Sequence, residues 1–304
     1  MRRTILITGA GGYLGHELIN QLLHNGDAVL ASTSNPPKLH EDFLYHEGLK
    51  CISRQELLTN GAHWSGIYAV VHLAFARRFR PNCEIADSIQ YSRRVFELVK
   101  EQKVPRLINI SSQSVYGNAE ELRTENTVIS PEMIYSMAKY AGEVVLDCIF
   151  QNCDTTATTN IRLDPIAQNQ NLIPRLIEQA LEKGELNLVG GGQIFSLLDI
   201  RDAAAAFIAL LNTPAETWKG VYNVGCNNTV YTLVELADVV ARVAQKHNAG
   251  TVKIGLKSED IRTYGGMDST LFTADTGWLP RYSIEDIIER SVEEYLDRVR
   301  RARN

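Results

Sequence analysis

Three side chains have types and spacing suited to moving a proton on and off an oxygen. Tyr135 and Lys139 are four residues apart, in YSMAK, so on a helix they share one face. Ser112 ends an apolar run in LINISSQSVYG. A tyrosine is a weak acid, with an unperturbed pKa of about 10. A neighbouring ammonium stabilises the phenolate and lowers that value, which is the role expected of Lys139. A hydroxyl at a strand end can hold a substrate oxygen, as expected of Ser112. Together they fit an acid–base step in which a proton accompanies a hydride. Tyr135 and Lys139 alone would better fit a tyrosine packed beside a surface lysine; the glycine turn and the Ser112 segment in the right order favour catalysis.

The elements that must position these groups begin at the N-terminus. Thr4 to Gly15 reads TILITGAGGYLG: a short buried strand, glycines at Gly9, Gly12 and Gly15, then an amphipathic helix with Leu14, Leu18, Leu22 and Leu23 on one stripe. A glycine turn that opens a helix brings backbone N–H groups and a positive dipole end to a phosphate. This spacing in a strand–turn–helix context is a dinucleotide-binding pattern. Asp27 to Thr33 is predicted as the second strand, and its end should meet the adenosine ribose. Ser32, Thr33 and Ser34 stand there with no carboxylate, and Lys38 is the nearest cation. A 2′-phosphate is therefore not repelled, which favours NADP, with NAD as the alternative.

Further along, Asn35-Pro36-Pro37 is predicted to break the chain into a loop. Strands are predicted at Leu49 to Ser53, Ile67 to Ala74, Leu107 to Ile110, Thr155 to Leu163 and Val221 to Val224. Helices are predicted at Ile85 to Gln102, from Ser130-Pro131 to about Asn152, and at Leu172 to Lys183, Ile200 to Leu211, Leu233 to Lys246 and Ile284 to Arg301. His72 is expected to be a core histidine bonded to backbone. The alternation of strands and helices implies an α/β fold, a doubly wound (Rossmann) parallel sheet with helices on both faces. Residues 1–163 are expected to form the dinucleotide-binding domain. Residues 164–304 are expected to form mainly a smaller α/β substrate lobe, interleaved with the last sheet elements.

The 304 residues are 44% hydrophobic and 22% charged, with a formal net charge of -5. That balance is globular and argues against a nucleic-acid polymer as partner. The five cysteines, Cys51, Cys83, Cys148, Cys153 and Cys226, form no CxxC pair, and reduced thiols in a cytoplasmic protein are expected. The N-terminus runs straight into the first predicted strand, so no signal peptide is expected, and no run of 18 apolar residues suggests a membrane span. The seven histidines show no metal-ligand spacing.

Taken together, the motifs resemble the extended branch of the short-chain dehydrogenase/reductase superfamily, and within it the nucleotide-sugar epimerase/dehydratase group. TGxxGxxG is met by Thr8, Gly9, Gly12 and Gly15, YxxxK by Tyr135 and Lys139, and the serine strand end by Ser111 to Gly117. His72-Leu73-Ala74, IRDAA around Asp202, VYNVG at 221–225 and GWLP at 277–280 continue the likeness over nearly the whole chain. The resemblance implies Ser112, Tyr135 and Lys139 as catalytic. It implies Gly9, Gly12, Tyr13, Leu14, Gly15, Ser32, Thr33, Ser34, Leu73 and Ala74 beside the dinucleotide, along with Tyr135 and Lys139. It implies Ser112, Gln113, Ser114, Asp164 and Arg262 toward a nucleotide-sugar substrate.

Departures from the pattern narrow the reaction. Dehydratases of the group carry an Asp-Glu pair where this chain has Gln113-Ser114, which cannot act as acid and base for water elimination. Asp164 replaces an asparagine that contacts substrate, and Phe195 stands where an arginine meets the diphosphate. These features favour a 4-ketoreductase of a nucleotide-linked deoxysugar, with a C4 epimerase or a non-catalytic dinucleotide-binding regulator as alternatives. The resemblance also implies a homodimer built on the helices near 85–102 and 132–152, with Phe96, Val99, Val145, Ile149 and Phe150 as candidate contacts.

Overall fold

A computed structural model of the chain describes all residues except 1, 119–120, 170, 227–228, 248–249, 262, 264 and 304. Its strands are β1 (Thr4–Thr8), β2 (Ala28–Thr33), β3 (Leu49–Ser53), β4 (Ile67–His72), β5 (Arg106–Ser112), β6 (Ala157–Leu163), β7 (Glu185–Val189), β8 (Ile194–Phe195), β9 (Val221–Val224), β10 (Tyr231–Thr232) and β11 (Lys253–Lys257). Its helices are α1 (Tyr13–His24), α2 (Pro36–Asp42), α3 (Arg54–Thr59), α4 (Asn82–Glu101), α5 (Ile134–Phe150), α6 (Leu172–Lys183), α7 (Ile200–Leu211), α8 (Leu233–Lys246), α9 (Thr270–Thr276) and α10 (Ile284–Arg303).

Seven strands form one sheet in the order β3-β2-β1-β4-β5-β6-β9, and every neighbouring pair in it is parallel. This is the doubly wound arrangement expected from the sequence. The two-residue period of the strands divides the core. Ile5, Ile7, Val29, Ala31 and Val71 pack with Leu18, Leu22, Ala203 and Phe207, from α1 and α7, on one face. Leu6, Leu30, Val70 and Leu107 pack with Val95, Phe96, Val99 and Leu146, from α4 and α5, on the other. A third cluster joins α6, α8 and α10, through Leu176, Val240 and Ile288, beside the small parallel pair β7–β11. Because β9 pairs with β6, the chain returns to the main sheet after residue 164.

Two local readings of the sequence are corrected. Asn35-Pro36-Pro37 opens a helix rather than a loop: the Asn35 side chain accepts from Lys38 N, and proline occupies the first turn, where no N–H is needed. Ser130-Pro131 does not start α5, which begins at Ile134 after Met133; Ser130 N instead donates to Val115 O at 3.0 Å. The apolar residues expected between subunits are also explained by the core. Phe96, Val99 and Phe150 are buried within the chain, and Val145 and Ile149 pack against the same cluster.

No helix among the described residues is long and apolar enough to cross a membrane. All five cysteines are free thiols.

Candidate active site

The site lies at the carboxyl ends of the central strands, where open α/β sheets bind ligands. β1 delivers Gly9 into the turn that opens α1. Gly9 has φ +68°, and a Cβ there would lie 2.7 Å from Ala74 N. A side chain is excluded both by backbone conformation and by the close approach of the β4 end. At Gly15 a Cβ would lie 2.7 Å from Ala10 O, so glycine lets α1 pack onto the turn.

β5 ends in Ser112, whose backbone pairs with Leu163 of β6. Ser112, Tyr135 and Lys139 line one cavity of about 360 Å³ with Gly9, Gly12, Leu73 and Ala74. Tyr13, Leu14 and Gly15 from the start of α1 also line it, as do Gln113, Ser114 and Asp164. Ser32, Thr33 and Ser34 lie outside that cavity and line an adjoining one with Arg54, Ala74 and Tyr91. Thr33 and Ser34 also border a third, with His16 and Lys38. A continuous groove therefore crosses the glycine turn from Ser34 to Tyr135. Arg262 lies outside the described residues.

The cradle fits a dinucleotide. The α1 N-terminus and side-chain-free Gly9 and Gly12 suit a pyrophosphate, the groove beside Ser32 and Thr33 an adenosine, and the cavity beside Tyr135 a nicotinamide. Among the described residues, no group of three or more His, Cys, Asp or Glu could hold a metal ion.

The electrostatics differ from the sequence expectation. Burial pushes the Tyr135 phenol up to about 12, against the charge of Arg78 and a hydrogen bond from Ser112, both of which favour the phenolate. Lys139 is 4% exposed. Its Nζ donates to Ile110 O at 3.0 Å, and burial pushes it down to about 7 despite the opposing charge of Glu143. The charge that acts on the phenol here is that of Arg78, and burial outweighs it. Desolvation, which linear spacing does not encode, outweighs the charge of Arg78 and the hydrogen bond from Ser112.

Ser112 Oγ accepts from Ser114 N at 3.2 Å and from Ser114 Oγ at 3.0 Å. Its own proton remains to be donated toward Tyr135 or a substrate oxygen. Gln113 Oε1 accepts from Arg123 Nη1 at 3.0 Å.

Behind Lys139 runs a buried polar network. Glu143, one turn along α5, accepts from Ser111 Oγ and from Arg162 Nη2 at 2.6 Å. Arg162 Nη1 donates to the Tyr116 hydroxyl at 2.9 Å, which donates to Asn223 Oδ1 at 2.7 Å. The Glu143 carboxylate holds the Arg162 guanidinium charged against the penalty of burial. His72 is a core histidine, but its partners are side chains rather than backbone: Thr8 Oγ1 and Ser92 Oγ, each at 2.8 Å.

Sequence reasoning missed Phe75, Arg78, Glu143 and Arg54. Phe75 follows the β4 end; its ring centroid lies 4.1 Å from Lys139 Nζ and 6.1 Å from the Tyr135 ring. Arg78 sits in the basic run Arg77-Arg78-Phe79-Arg80, a signal visible in the sequence. Glu143 was visible as the fourth residue after Lys139. Arg54 reaches the groove from α3 and lies over the Tyr91 ring at 3.8 Å, a placement only the fold supplies.

The family model described as "NAD dependent epimerase/dehydratase family" matches residues 5–225. The chain belongs to this family. It is accordingly an NAD(P)-dependent enzyme of the short-chain dehydrogenase/reductase type. Similar curated proteins include a dTDP-glucose 4,6-dehydratase of Escherichia coli, 25% identical over 96% of this chain and 92% of that one. A dTDP-4-dehydro-6-deoxyglucose reductase of Escherichia coli is 22% identical, covering 95% of this chain and 96% of that one. Among solved structures, the fold is similar to that of a UDP-glucuronic acid 4-epimerase from Bacillus cereus in complex with NAD. There the TM-score is 0.79 at 20% identity, over 96% of this chain and 99% of that one. Members of this family thus share one scaffold across elimination, reduction and epimerisation, and the side chains of the cavity must distinguish them.

Proposed function

We propose that this family member is a 4-ketoreductase of a nucleotide-linked keto-deoxysugar, using NADPH. The observation that carries the reading is a cavity that joins Tyr135 and Ser112 to Gln113 and Ser114, which offer no acid–base pair; burial of the phenol favours its neutral form. A neutral phenol is the form that can give a proton to a carbonyl oxygen as that oxygen gains charge. Ser112 Oγ–H orients the carbonyl, and Tyr135 Oη delivers the proton that completes the alcohol. Lys139, covered in this structure by Phe75, reaches the nicotinamide ribose once that ring moves aside. A bound nicotinamide supplies the hydride. Gly9, Gly12 and the α1 N-terminus would hold its pyrophosphate, with Tyr13, Leu14, Gly15, Leu73 and Ala74 alongside.

NADP is supported by the end of β2. Ser32, Thr33 and Ser34 bring no carboxylate, and His16, Lys38 and Arg54 border the same groove. Lys38 is shared with Asp42 at 3.1 Å. Asp164, and Arg262 outside the described residues, are assigned to the substrate side, in the lobe of residues 164–304, with residues 1–163 as the dinucleotide-binding part. A homodimer through α4 and α5 is supported by exposed Ile134, Met137 and Val144 on α5, since Phe96, Val99 and Phe150 are buried and Val145 and Ile149 partly so. The free thiols support a cytoplasmic setting.

The C4 epimerase is the second reading, favoured by the likeness to a solved 4-epimerase. Both are tested on one preparation. The purified protein is assayed for retained dinucleotide, then given NADPH and a dTDP-4-keto-6-deoxyhexose. Stoichiometric NADPH oxidation with formation of the alcohol supports the reductase. Retained NAD with no net turnover replaces it with the epimerase.

A further inference from the structure

Tyr135, Lys139 and Glu143 follow one another at one-turn intervals on α5, and all three meet the end of β5. Tyr135 shares its cavity with Ser112. Lys139 Nζ donates to Ile110 O at 3.0 Å. The buried Glu143 carboxylate accepts from Ser111 Oγ. Ser111 faces Arg162 across the β5–β6 pairing, and Arg162 donates to the same carboxylate from Nε at 3.1 Å and from Nη2 at 2.6 Å. Arg162 Nη1 in turn donates to the Tyr116 hydroxyl at 2.9 Å. Glu143 thus grips the segment that carries Ser112 at both ends, at Ser111 directly and at Tyr116 through Arg162. The segment is short, because β5 gives way after Ser112 to a 3₁₀ turn over Gln113–Tyr116. Few backbone torsions therefore separate Ser112 from either grip.

We propose that Ser111 and Glu143 are positioning residues that together set the separation of the Ser112 and Tyr135 hydroxyls. The inference rests on the assignment of those two hydroxyls to the reaction and adds the groups that hold them in register. A ring of covalent and hydrogen bonds closes from Tyr135 along two turns of α5 to Glu143, across to Ser111, and one residue on to Ser112. Helix and paired strand are both stiff, so the bond between Glu143 and Ser111 transmits the position of one hydroxyl to the other. A carboxylate suits this task, since its two oxygens can accept from Ser111 and Arg162 together. Such register matters, because a displacement of about 1 Å can cost on the order of 100-fold in rate.

Ser111→Ala tests the grip while leaving Glu143 paired with Arg162. NMR of Cζ-labelled tyrosine in the unliganded protein, assigned with Tyr135→Phe, reads the hydrogen bonding of the Tyr135 hydroxyl. Ser112→Ala gives the position of that resonance with the Ser112 hydroxyl gone. Ser111→Ala should move the Tyr135 resonance most of the way toward it. With NADPH and a dTDP-4-keto-6-deoxyhexose, kcat should fall about tenfold or more in Ser111→Ala, with KM and the NADPH dissociation constant unchanged. Added to Ser112→Ala, the same substitution should cost nothing further in kcat, because the hydroxyl it positions is already absent. A Tyr135 resonance that stays at the wild-type position in Ser111→Ala overturns the positioning role, whatever the variant loses in stability. Absence of ketone turnover by wild type overturns the reductase reading alone, and the resonance still decides the positioning role.

Discussion

The Phe75 ring covers the Lys139 ammonium, centroid to Nζ 4.1 Å. The lysine expected to meet the cofactor ribose is therefore enclosed by an aromatic ring before any ligand arrives. At pH 6, where Lys139 still carries its proton, moving the ring aside disrupts a cation–π contact of about 0.5–2 kcal/mol. Phe75→Ala removes that cost. NADP should then bind roughly 2- to 30-fold more tightly, with a faster association rate in stopped-flow fluorescence. Weaker binding in the variant would mean that the ring supports the cofactor rather than blocking it.

The Lys139 pKa, lowered to about 7 by burial, makes stability depend on pH. Between there and the ordinary lysine pKa, the unfolded chain carries the proton and the folded chain does not. Stability of the unliganded protein should therefore rise with pH across that window. Lys139→Met should flatten the rise, measured as urea midpoint against pH. A wild-type profile as flat as that of the variant contradicts the burial argument.

Glu143 opposes the shift of Lys139 and neutralises Arg162 in the core, with side-chain exposures of 4% and 7% for the pair. Glu143→Gln leaves a buried guanidinium without its counter-charge. A loss of about 3–5 kcal/mol in unfolding free energy is expected. A loss under about 1 kcal/mol would place the pair in the class of solvated surface bridges.

Asp164 carries the cost of burying a carboxylate. Its pKa is raised by burial to about 6, so between the unfolded value and that point the folded state holds a proton that the unfolded state lacks. Stability falls as pH rises through this window, on the order of 3 kcal/mol in all. Asp164→Asn should raise the melting temperature at pH 8 and leave it nearly unchanged near pH 3.5. Equal shifts at both pH values would rule out the ionised carboxylate as the source.

Arg54 and Lys38 border the groove beside Ser34, and the 2′-phosphate is the feature that separates NADP from NAD. Removing one charge-assisted contact costs about 1.5–3 kcal/mol. Arg54→Ala or Lys38→Ala should lower the NADP-over-NAD ratio of affinities about tenfold or more, with NAD affinity unchanged. A ratio unaffected by both changes contradicts the assignment of this groove to the phosphate.

Much of this fold is written in local periodicity. α6, α7, α8 and β9 have the limits that their apolar stripes and runs predict. α2 escapes because its two prolines look like a break, although proline is compatible with a first helical turn. β11 escapes because all five of its residues are exposed, so no buried face repeats along it. Within the site, Ser112, Tyr135 and Lys139 are legible as types and spacings, and the sheet brings them to one cavity. Their proton affinities are not legible. These depend on how deeply Tyr135 and Lys139 are buried and on Arg78, which arrives from a loop more than fifty residues earlier in the chain. Phe75 is likewise silent in the sequence, since a phenylalanine after a strand reads as core until its neighbour is seen to be a lysine.

The account rests on Tyr135 acting as the proton donor to a ketone, and Tyr135→Phe tests this most directly. NADPH oxidation is followed with a dTDP-4-keto-6-deoxyhexose, and the NADPH dissociation constant is measured on the same preparations. The variant should lose about 10²- to 10⁴-fold in kcat while its cofactor affinity stays at the wild-type value. Wild-type turnover by Tyr135→Phe would contradict the mechanism at its centre.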